Sequence, residues 1–77
     1  MKIRIFVTLK NGVLDPQGKA IHHALENLEF TGVNDVRAGK LIELDVEDDL
    51  PKSSIEKMCE KLLANTVIEN YEIEEIQ

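Results

Sequence analysis

The sequence is short of several residue types with which small proteins reinforce a fold or build a reactive site. Its 77 residues include one cysteine, no tryptophan, one tyrosine and two phenylalanines. The single Cys59 cannot form an intrachain disulfide or supply a cysteine-rich zinc site. A chain of this length buries only about 60% of the surface that its unfolded form exposes, and such a core leaves roughly 3–5 kcal/mol of stability. We therefore expect self-association to supply further stability.

Long apolar runs are also absent, since no stretch approaches the roughly 20 residues that span a bilayer. The N-terminus alternates charged and aliphatic residues and lacks the regions of a signal peptide. We expect a cytoplasmic protein with no membrane partner. Nine basic against fifteen acidic residues give a net charge of −6, which repels phosphate backbones, and the few aromatic residues offer little stacking surface. We therefore expect no nucleic-acid partner.

The first residues alternate as in a half-buried strand. Lys2, Arg4 and Thr8 alternate with an aliphatic set, which is Ile3, Ile5, Val7 and Leu9. Phe6 interrupts the polar side. An apolar residue there either meets another subunit or is a single exposed phenylalanine, and the sequence leaves both interpretations open.

A first helix is predicted after the turn sequence Lys10-Asn11-Gly12. Asp15 suits the N-cap, and Pro16 suits the first helical position because its missing N–H costs nothing there. Apolar residues at helical spacing form one stripe, which consists of Ala20, Ile21, Ala24, Leu25 and Leu28. Gly18 weakens the first turn, so it either marks a close backbone approach by a partner or is tolerated near a helix end.

The middle of the chain predicts a β-hairpin. Val33 to Arg37 has the pattern of a short strand, Ala38-Gly39 that of a tight turn, and Leu41 to Val46 that of a second strand. The acidic run Glu47-Asp48-Asp49 and Pro51 then end the pattern.

A second amphipathic helix and a last strand follow. Ser53-Ser-Ile-Glu56 is a capping-box sequence, which predicts the start of the helix. Its apolar stripe consists of Ile55, Met58, Cys59, Leu62 and Leu63. Asn65 suits a left-handed C-cap, and Tyr71 and Ile73 alternate with glutamates in the last strand.

The order strand, helix, strand, strand, helix, strand predicts a single α+β domain over residues 1–77. It is the order of the ferredoxin-like βαββαβ two-layer sandwich, with both helices on one face of an antiparallel sheet. In that topology the last strand pairs with the first. Lys2 and Arg4 are then expected to face Glu72 and Glu74, and each opposite-charge pair contributes about 0.2–1 kcal/mol.

The sequence predicts no catalytic or metal-binding arrangement in this chain. His22 and His23 are adjacent in a helix and point about 100° apart, so they cannot chelate one ion together. Cys59 lies on an apolar stripe without a nearby base in the sequence, which predicts a buried thiol. The acidic residues of 45–49 lack the spacing of a calcium loop, and Gly12 and Gly18 lack that of a phosphate-binding loop. We therefore expect a non-catalytic interaction or regulatory module.

Three stretches together resemble one family. They are Val7 to Ala20, which contains LKNGVLDPQG, Val36 to Leu44, which begins VRAGK, and Met58 to Tyr71, which contains CEKLLAN. Over essentially the whole chain they resemble PurS, the small subunit of bacterial phosphoribosylformylglycinamidine (FGAM) synthase. Where a glycine would be expected before the aromatic residue at the end of the first helix, this chain has Glu29-Phe30.

The resemblance implies a role in the fourth step of purine biosynthesis. There a synthetase subunit uses ATP and magnesium to activate the substrate amide, and a glutaminase subunit supplies ammonia from glutamine. The small subunit performs neither reaction and holds no cofactor. It forms a homodimer or a dimer of dimers and bridges the other two subunits, so that ammonia passes between their sites. The chain would then be a non-catalytic subunit of an ATP- and glutamine-dependent C–N ligase.

The candidate partner interface consists of residues that the predicted fold explains poorly. They are Lys10, Asn11, Gly12, Val13, Leu14, Asp15, Arg37 and Lys40. Val13 and Leu14 are apolar residues in a polar turn, and they cover either a neighbouring chain or the subunit's own core. Arg37 and Lys40 flank the predicted hairpin turn. They either contact acidic groups or phosphate on a partner, or they are solvated turn charges.

A small-molecule regulatory module of the ACT type is the alternative, because it has the same element order and also pairs through its sheet. Such a module would bind an amino acid or nucleotide at its dimer interface and gain stability from that ligand.

Overall fold

In a computed structural model that describes residues 1–76, three strands and two helices follow one another along the chain. Their bounds are β1 Lys2–Leu9, α1 Pro16–Asn27, β2 Gly39–Asp45, α2 Lys52–Met58 and β3 Glu69–Ile76. A π-helical segment, Cys59–Leu63, continues α2 without a break. The strand order is β2-β1-β3, and β1 pairs antiparallel with both neighbours.

The core lies on one face of this sheet and beneath α2. Ile5, at the centre of β1, is opposite Ile42 of β2 and Ile73 of β3. The buried apolar residues are Ile3, Ile5, Val7, Ile55, Cys59 and Ala64. The predicted alternation of the first strand is therefore confirmed for residues 3 to 7, and the buried thiol of Cys59 is confirmed as well.

The other face of the sheet, called the outer face here, carries Lys2, Arg4, Phe6 and Thr8 with the residues opposite them. Arg4 is opposite Glu74 of β3 and Glu43 of β2. The predicted neighbourhood of the first and last strands is thus confirmed, and Arg4 lies opposite Glu74 as predicted. The prediction for Lys2 is wrong, because Lys2 lies opposite Ile76 of β3 and not opposite a glutamate of that strand. Phe6, by contrast, is opposite both Glu72 and Leu41, so this face mixes charged and apolar side chains.

The predicted hairpin is wrong, because Val33 to Arg37 forms no strand in the described chain. Polar groups of residues 33–38 instead form hydrogen bonds with α1 and with the residue that caps it. The ring Nε2–H of His22 donates to the carbonyl oxygen of Val33 at 2.9 Å, and the N–H of Ala38 donates to Asp15 at 2.8 Å. Residues 33–38 therefore run beside α1 instead of pairing with β2.

The start of α1 is as predicted, with Asp15 as the N-cap and Pro16 at the first helical position. The prediction that both helices cover one face of the sheet is wrong for this helix. Within the described residues α1 contributes no side chain to the core, and Leu28 is 68% exposed. The molecule measures 49 Å along its longest axis, whereas an eight-residue strand spans only about 26 Å. Much of that length therefore comes from α1 and the segment beside it.

The end of α1 has a left-handed residue where a glycine was expected. Glu29 has φ +67°, a conformation that costs a residue with a Cβ about 1–2 kcal/mol. Its N–H donates to the carbonyl oxygen of Glu26, and that of Phe30 donates to Leu25. These bonds close the last turn, so the chain reverses here despite the unfavourable residue type.

The second helix departs from its predicted ends. It begins at Lys52 with Pro51 as the N-cap and has no side-chain capping bond, so the predicted capping box is absent. Ser53 lies inside the first turn, where its hydroxyl cannot reach the unpaired N–H groups as an N-cap would. At the other end, Asn65 is not left-handed. Its side-chain oxygen accepts a hydrogen bond from Val67 N–H at 3.2 Å and so shapes the turn before β3.

The π-helical segment also changes which residues of the predicted stripe reach the core. The N–H of Ala64 donates to the carbonyl oxygen of Cys59, five residues back, which inserts one residue into the helical turn. Ile55 and Cys59 are buried as predicted, but Leu62 is 83% exposed. The buried stripe is therefore continued by Ala64.

Candidate functional site

Two of the three stretches that resemble PurS meet at the carboxylate of Asp15. One oxygen accepts a hydrogen bond from Gly18 N–H at 2.8 Å and caps α1. The other accepts one from Ala38 N–H at 2.8 Å, across 23 positions of sequence. Asp15 is only 6% exposed, so both bonds are shielded from water. We call this meeting point of residues 9–18 and 36–38 the Asp15 junction.

The side chain of Arg37 also links these two segments, from a more exposed position than Asp15. Its Nη2 donates to the carbonyl oxygen of Leu9 at 2.9 Å and to that of Lys10 at 3.3 Å. Its Nε lies 4.0 Å from the carboxylate of Asp15. The guanidinium is therefore committed to its own chain at the end of β1, and it does not project from a hairpin tip as the sequence predicted.

Gly18 is needed for the close approach at the junction. A Cβ built on this residue would overlap the carbonyl oxygen of Val36 and would lie 2.6 Å from a carboxylate oxygen of Asp15. The close approach that its presence suggested is thus made within the subunit.

The electrostatics of the junction favour the ionised form of Asp15. The hydrogen bond from Ala38 N–H, the bond from Gly18 N–H and the charge of Arg37 together lower the pKa of this carboxyl below its usual value, although its burial opposes them. Because the folded-state pKa lies below the unfolded-state pKa, ionised Asp15 stabilises the fold above the unfolded-state pKa. That contribution is lost as the pH falls through the folded-state pKa.

The remaining candidate residues lie at two different places. Lys10 to Val13 form a turn in which Val13 N–H donates to the carbonyl oxygen of Lys10, and Gly12 has φ +85°. Leu14 follows it and is 64% exposed, whereas Val13 is half-buried. Lys40 lies in β2, with its Nζ 3.8 Å from the carboxylate of Glu69 in β3. The structure therefore brings residues 10–15 and Arg37 together and places Lys40 on a separate side.

Two shallow pockets lie on either side of Asp15. One, of about 210 Å³, is lined by Val13, Leu14, Asp15, Lys19, His22, Asp35, Val36 and Arg37. The other, of about 320 Å³, is lined by residues that include Leu9, Pro16, Lys40 and Glu69. Sequence reasoning did not include Lys19 and His22 in the site. Both could have been found from the sequence, because they lie four and seven residues after Asp15 and so share one helix face.

The side chains on this surface are suited to contacts with another protein. Leu14 presents an apolar side chain beside the cationic groups of Lys19 and Arg37. Burial raises the pKa of the Cys59 thiol, with neighbouring Glu60 adding to the shift, so this thiol stays protonated. Among residues 1–76 no cluster of histidine, cysteine, aspartate and glutamate side chains is arranged to hold a metal ion. No helix in that range is long and apolar enough to cross a membrane.

Comparison with known proteins gives a consistent result. A family model described as "PurS: Phosphoribosylformylglycinamidine (FGAM) synthase" matches residues 2–77. The chain is 51% identical to phosphoribosylformylglycinamidine synthase subunit PurS of Bacillus subtilis (strain 168) over 79 residues, covering 97% of this chain and 94% of that protein. It is 43% identical to the PurS subunit of Methanocaldococcus jannaschii, covering 94% and 90% of the two chains.

Solved structures agree. The B. subtilis PurS structure superposes with a TM-score of 0.83, covering 96% of this chain and 98% of that one. A chain in the structure of PurLQS from Thermotoga maritima superposes with a TM-score of 0.85 at 36% identity, covering 97% and 95%. These neighbours share the ferredoxin-like α+β fold, which confirms the predicted fold class.

Proposed function

Because this chain belongs to the PurS family of FGAM synthase subunits, we propose that it is the small, non-catalytic subunit that bridges the synthetase and the glutaminase of that enzyme in purine biosynthesis. The observation that carries the proposal is the likeness to a chain of the T. maritima PurLQS structure, whose name joins three subunits in one assembly. Bridging needs contact surfaces and no reactive group, which fits the contact chemistry of the Asp15 junction.

The proposal includes a self-associated subunit that acts in the cytoplasm and holds no cofactor of its own. ATP and magnesium belong to the synthetase partner in this account. Self-association is supported by the small core, which consists of a few buried side chains beneath one short helix. It is also supported by the apolar surface of α1, where Ile21 and Leu28 are exposed.

The heterologous contact is assigned to the surface beside the Asp15 junction. The two hydrogen bonds of Asp15 and the clamp made by Arg37 hold the loop of residues 10–14 in one conformation. A preorganised loop loses little conformational entropy on binding. Leu14 at its end would then be an apolar side chain that a partner subunit buries, while Lys19 and the exposed part of Arg37 contact acidic groups around it.

The ACT-type regulatory alternative is not favoured, since the curated relatives named above are PurS subunits of FGAM synthase. The two functions differ in their response to ligands. A regulatory module gains stability when its amino acid or nucleotide binds, whereas a bridge gains it from its protein partners.

Comparing ammonia sources tests the bridging function. FGAM formation by the synthetase and glutaminase of the same organism would be measured with and without this chain, using either glutamine or an ammonium salt. Omitting the chain should lower the glutamine-dependent rate by about tenfold or more, because ammonia is no longer delivered at a high effective concentration. The ammonium-dependent rate should change little. Equal loss of both rates would contradict a bridge and indicate a direct effect on the synthetase.

A further inference from the structure

The end of the sheet opposite the Asp15 junction carries a separate pocket, which we call the far pocket. Its lining includes Ile3 near the start of β1, whereas the junction lies beside Leu9 at the end of that strand. Leu9 comes six residues after Ile3 in the extended strand, which separates the two by about 20 Å. A protein that bridges two subunits needs two contact surfaces set apart in this way.

The far pocket has an apolar floor and a charged rim. Four aliphatic side chains line it, which are Ile3, Leu50, Ile55 and Ile73. Its lining also includes three exposed charged residues, which are Asp48, Lys52 and Glu75. The volume is about 350 Å³, near the lower end of the roughly 300–1,000 Å³ that is typical of binding pockets. The far pocket therefore has room for one or two side chains of another protein.

Backbone hydrogen bonds hold one wall of the far pocket in place. Val46 N–H donates to the carbonyl oxygen of Met1 at 2.9 Å, and Leu50 N–H donates to that of Glu47 at 3.1 Å. Residues 46–50 are thereby fixed against the start of β1. A pocket that is formed before binding loses little conformational entropy when it is filled.

The two ends of the sheet differ in charge. Six carboxylates lie at the end with the far pocket, which are those of Asp45, Glu47, Asp48, Asp49, Glu74 and Glu75. Lys2, Lys52 and the amino group of Met1 lie among them, and this amino group is 2.8 Å from the carboxylate of Asp48. Four cationic side chains lie at the other end, which are those of Lys10, Lys19, Arg37 and Lys40. Three carboxylates accompany these cations, which are those of Asp15, Asp35 and Glu69. The end with the far pocket is therefore the negative one.

We propose that the far pocket is the second contact surface of the bridge, and that it receives an aliphatic side chain flanked by lysine or arginine on the partner subunit that does not contact Leu14. This inference rests on the proposed bridging function and names the surface for its second partner. The apolar floor buries the aliphatic side chain, and Glu75 contacts the neighbouring cation.

The charge of this end selects its occupant. A second copy of the same end would bring two sets of carboxylates together and be repelled, as would an acidic segment of any partner. A basic contact surface is attracted to the far pocket, whereas an acidic one is attracted to Lys19 and Arg37 beside Leu14. The subunit is therefore held between its two partners in one orientation.

Charge reversal at Glu75 tests the far pocket. Glu75→Lys faces the basic partner with a like charge, so the rate constant for assembly with the synthetase and glutaminase should fall about tenfold at low salt and less at high salt. Glu72→Lys is the matched control, because it makes the same charge change on β3 but on the outer face, opposite Phe6. Both glutamates are exposed, so both variants should fold.

Assembly would be followed by stopped-flow fluorescence with labelled chains over a series of salt concentrations. The E72K chain should assemble within about twofold of the unaltered rate. An unaltered rate for E75K, or equal slowing of E75K and E72K, would overturn the proposal.

Photo-crosslinking in the assembled complex identifies the occupant. The photoreactive residue p-benzoylphenylalanine would replace Lys52 at the far pocket or Leu14 beside the junction, one at a time, and mass spectrometry would identify the captured subunit. The two positions should capture different partners. Capture of the same partner from both positions, or of a second copy of this chain from position 52, would overturn the proposal. So would the absence of any capture from position 52 in a complex that is captured from position 14.

The outcomes separate this inference from the proposed function. An E75K chain that joins both partners at the unaltered rate overturns the role of the far pocket and leaves the bridging function standing. An unaltered chain that joins neither the synthetase nor the glutaminase overturns both.

Discussion

Replacing Leu14 with aspartate should weaken assembly with the synthetase and glutaminase by about tenfold or more, without lowering the thermal stability of the isolated chain. Burying a leucine side chain contributes about 1.5–3 kcal/mol, and placing a carboxylate in the same contact adds a desolvation cost. Since Leu14 is 64% exposed in the subunit, its loss should not disturb the fold.

A second exposed leucine provides the matched control. Leu62 is 83% exposed on the π-helical segment, away from the Asp15 junction, and Leu62→Asp makes the same chemical change. Affinity for the immobilised synthetase and glutaminase would be measured for both variants beside the unaltered chain. Equal affinities for L14D and the unaltered chain, or weaker binding by L62D than by L14D, would remove the junction surface from the contact.

Replacing Asp15 with alanine should lower the melting temperature by about 5–10 °C, because the change removes an N-cap and a long-range hydrogen bond together. The N–H groups of Gly18 and Ala38 would both lose their acceptor in a largely buried position. Residues 36–38 would then be held to α1 less firmly. The loop of residues 10–14 should also become more mobile, so this variant should assemble poorly.

The pH dependence of the same variant checks the cause. The folded-state pKa of Asp15 lies below its usual value of 3.8, so the stabilisation is complete at neutral pH and disappears as the pH falls through the folded-state pKa. Calorimetry should show a constant difference in melting temperature between the D15A and unaltered chains near neutral pH, and a smaller difference in strong acid. Asp49→Ala, in an exposed turn, is the control and should leave the melting temperature unchanged. A D15A chain with an unaltered melting temperature would contradict the structural role of the junction.

The elements that the sequence predicted correctly depend on local rules. The alternation of β1 and the Asp15-Pro16 start of α1 involve residues within a few positions of one another. The segment of residues 33–37 could not be predicted in the same way. The carbonyl oxygen of Val33 accepts a hydrogen bond from His22, 11 positions away, and Ala38 just after the segment donates one to Asp15, 23 positions away. These contacts outweigh a short strand pattern.

Leu62 illustrates a second limit. Its spacing from Ile55 and Cys59 is right for a regular α-helix, but the π-helical turn moves it out of the stripe. The seven-residue spacing contains no sign of this turn. Sequence spacing predicts which residues share a helix face only where each N–H bonds to the carbonyl oxygen four residues back.

The sequence indicated several residues that meet at the Asp15 junction but not how they are arranged. The sequence indicated residues 10–15, Arg37 and Lys40 because they were poorly explained by the fold. The bond from Ala38 to Asp15 spans 23 positions and that from Arg37 to Leu9 spans 28, so the meeting of the two segments required the structure. The same contacts make Asp15 a residue that positions the loop before Leu14, and they give Arg37 this role in addition to the proposed contact of its exposed part.

The most direct test of the account is the mass of the assembly in solution. Light scattering after size-exclusion chromatography would be applied to this chain alone and to its mixture with the synthetase and glutaminase, with glutamine, ATP and magnesium present. We expect a dimer for the chain alone and one complex that contains this dimer with both partners. A small protein that elutes separately from both partners under every condition would contradict it.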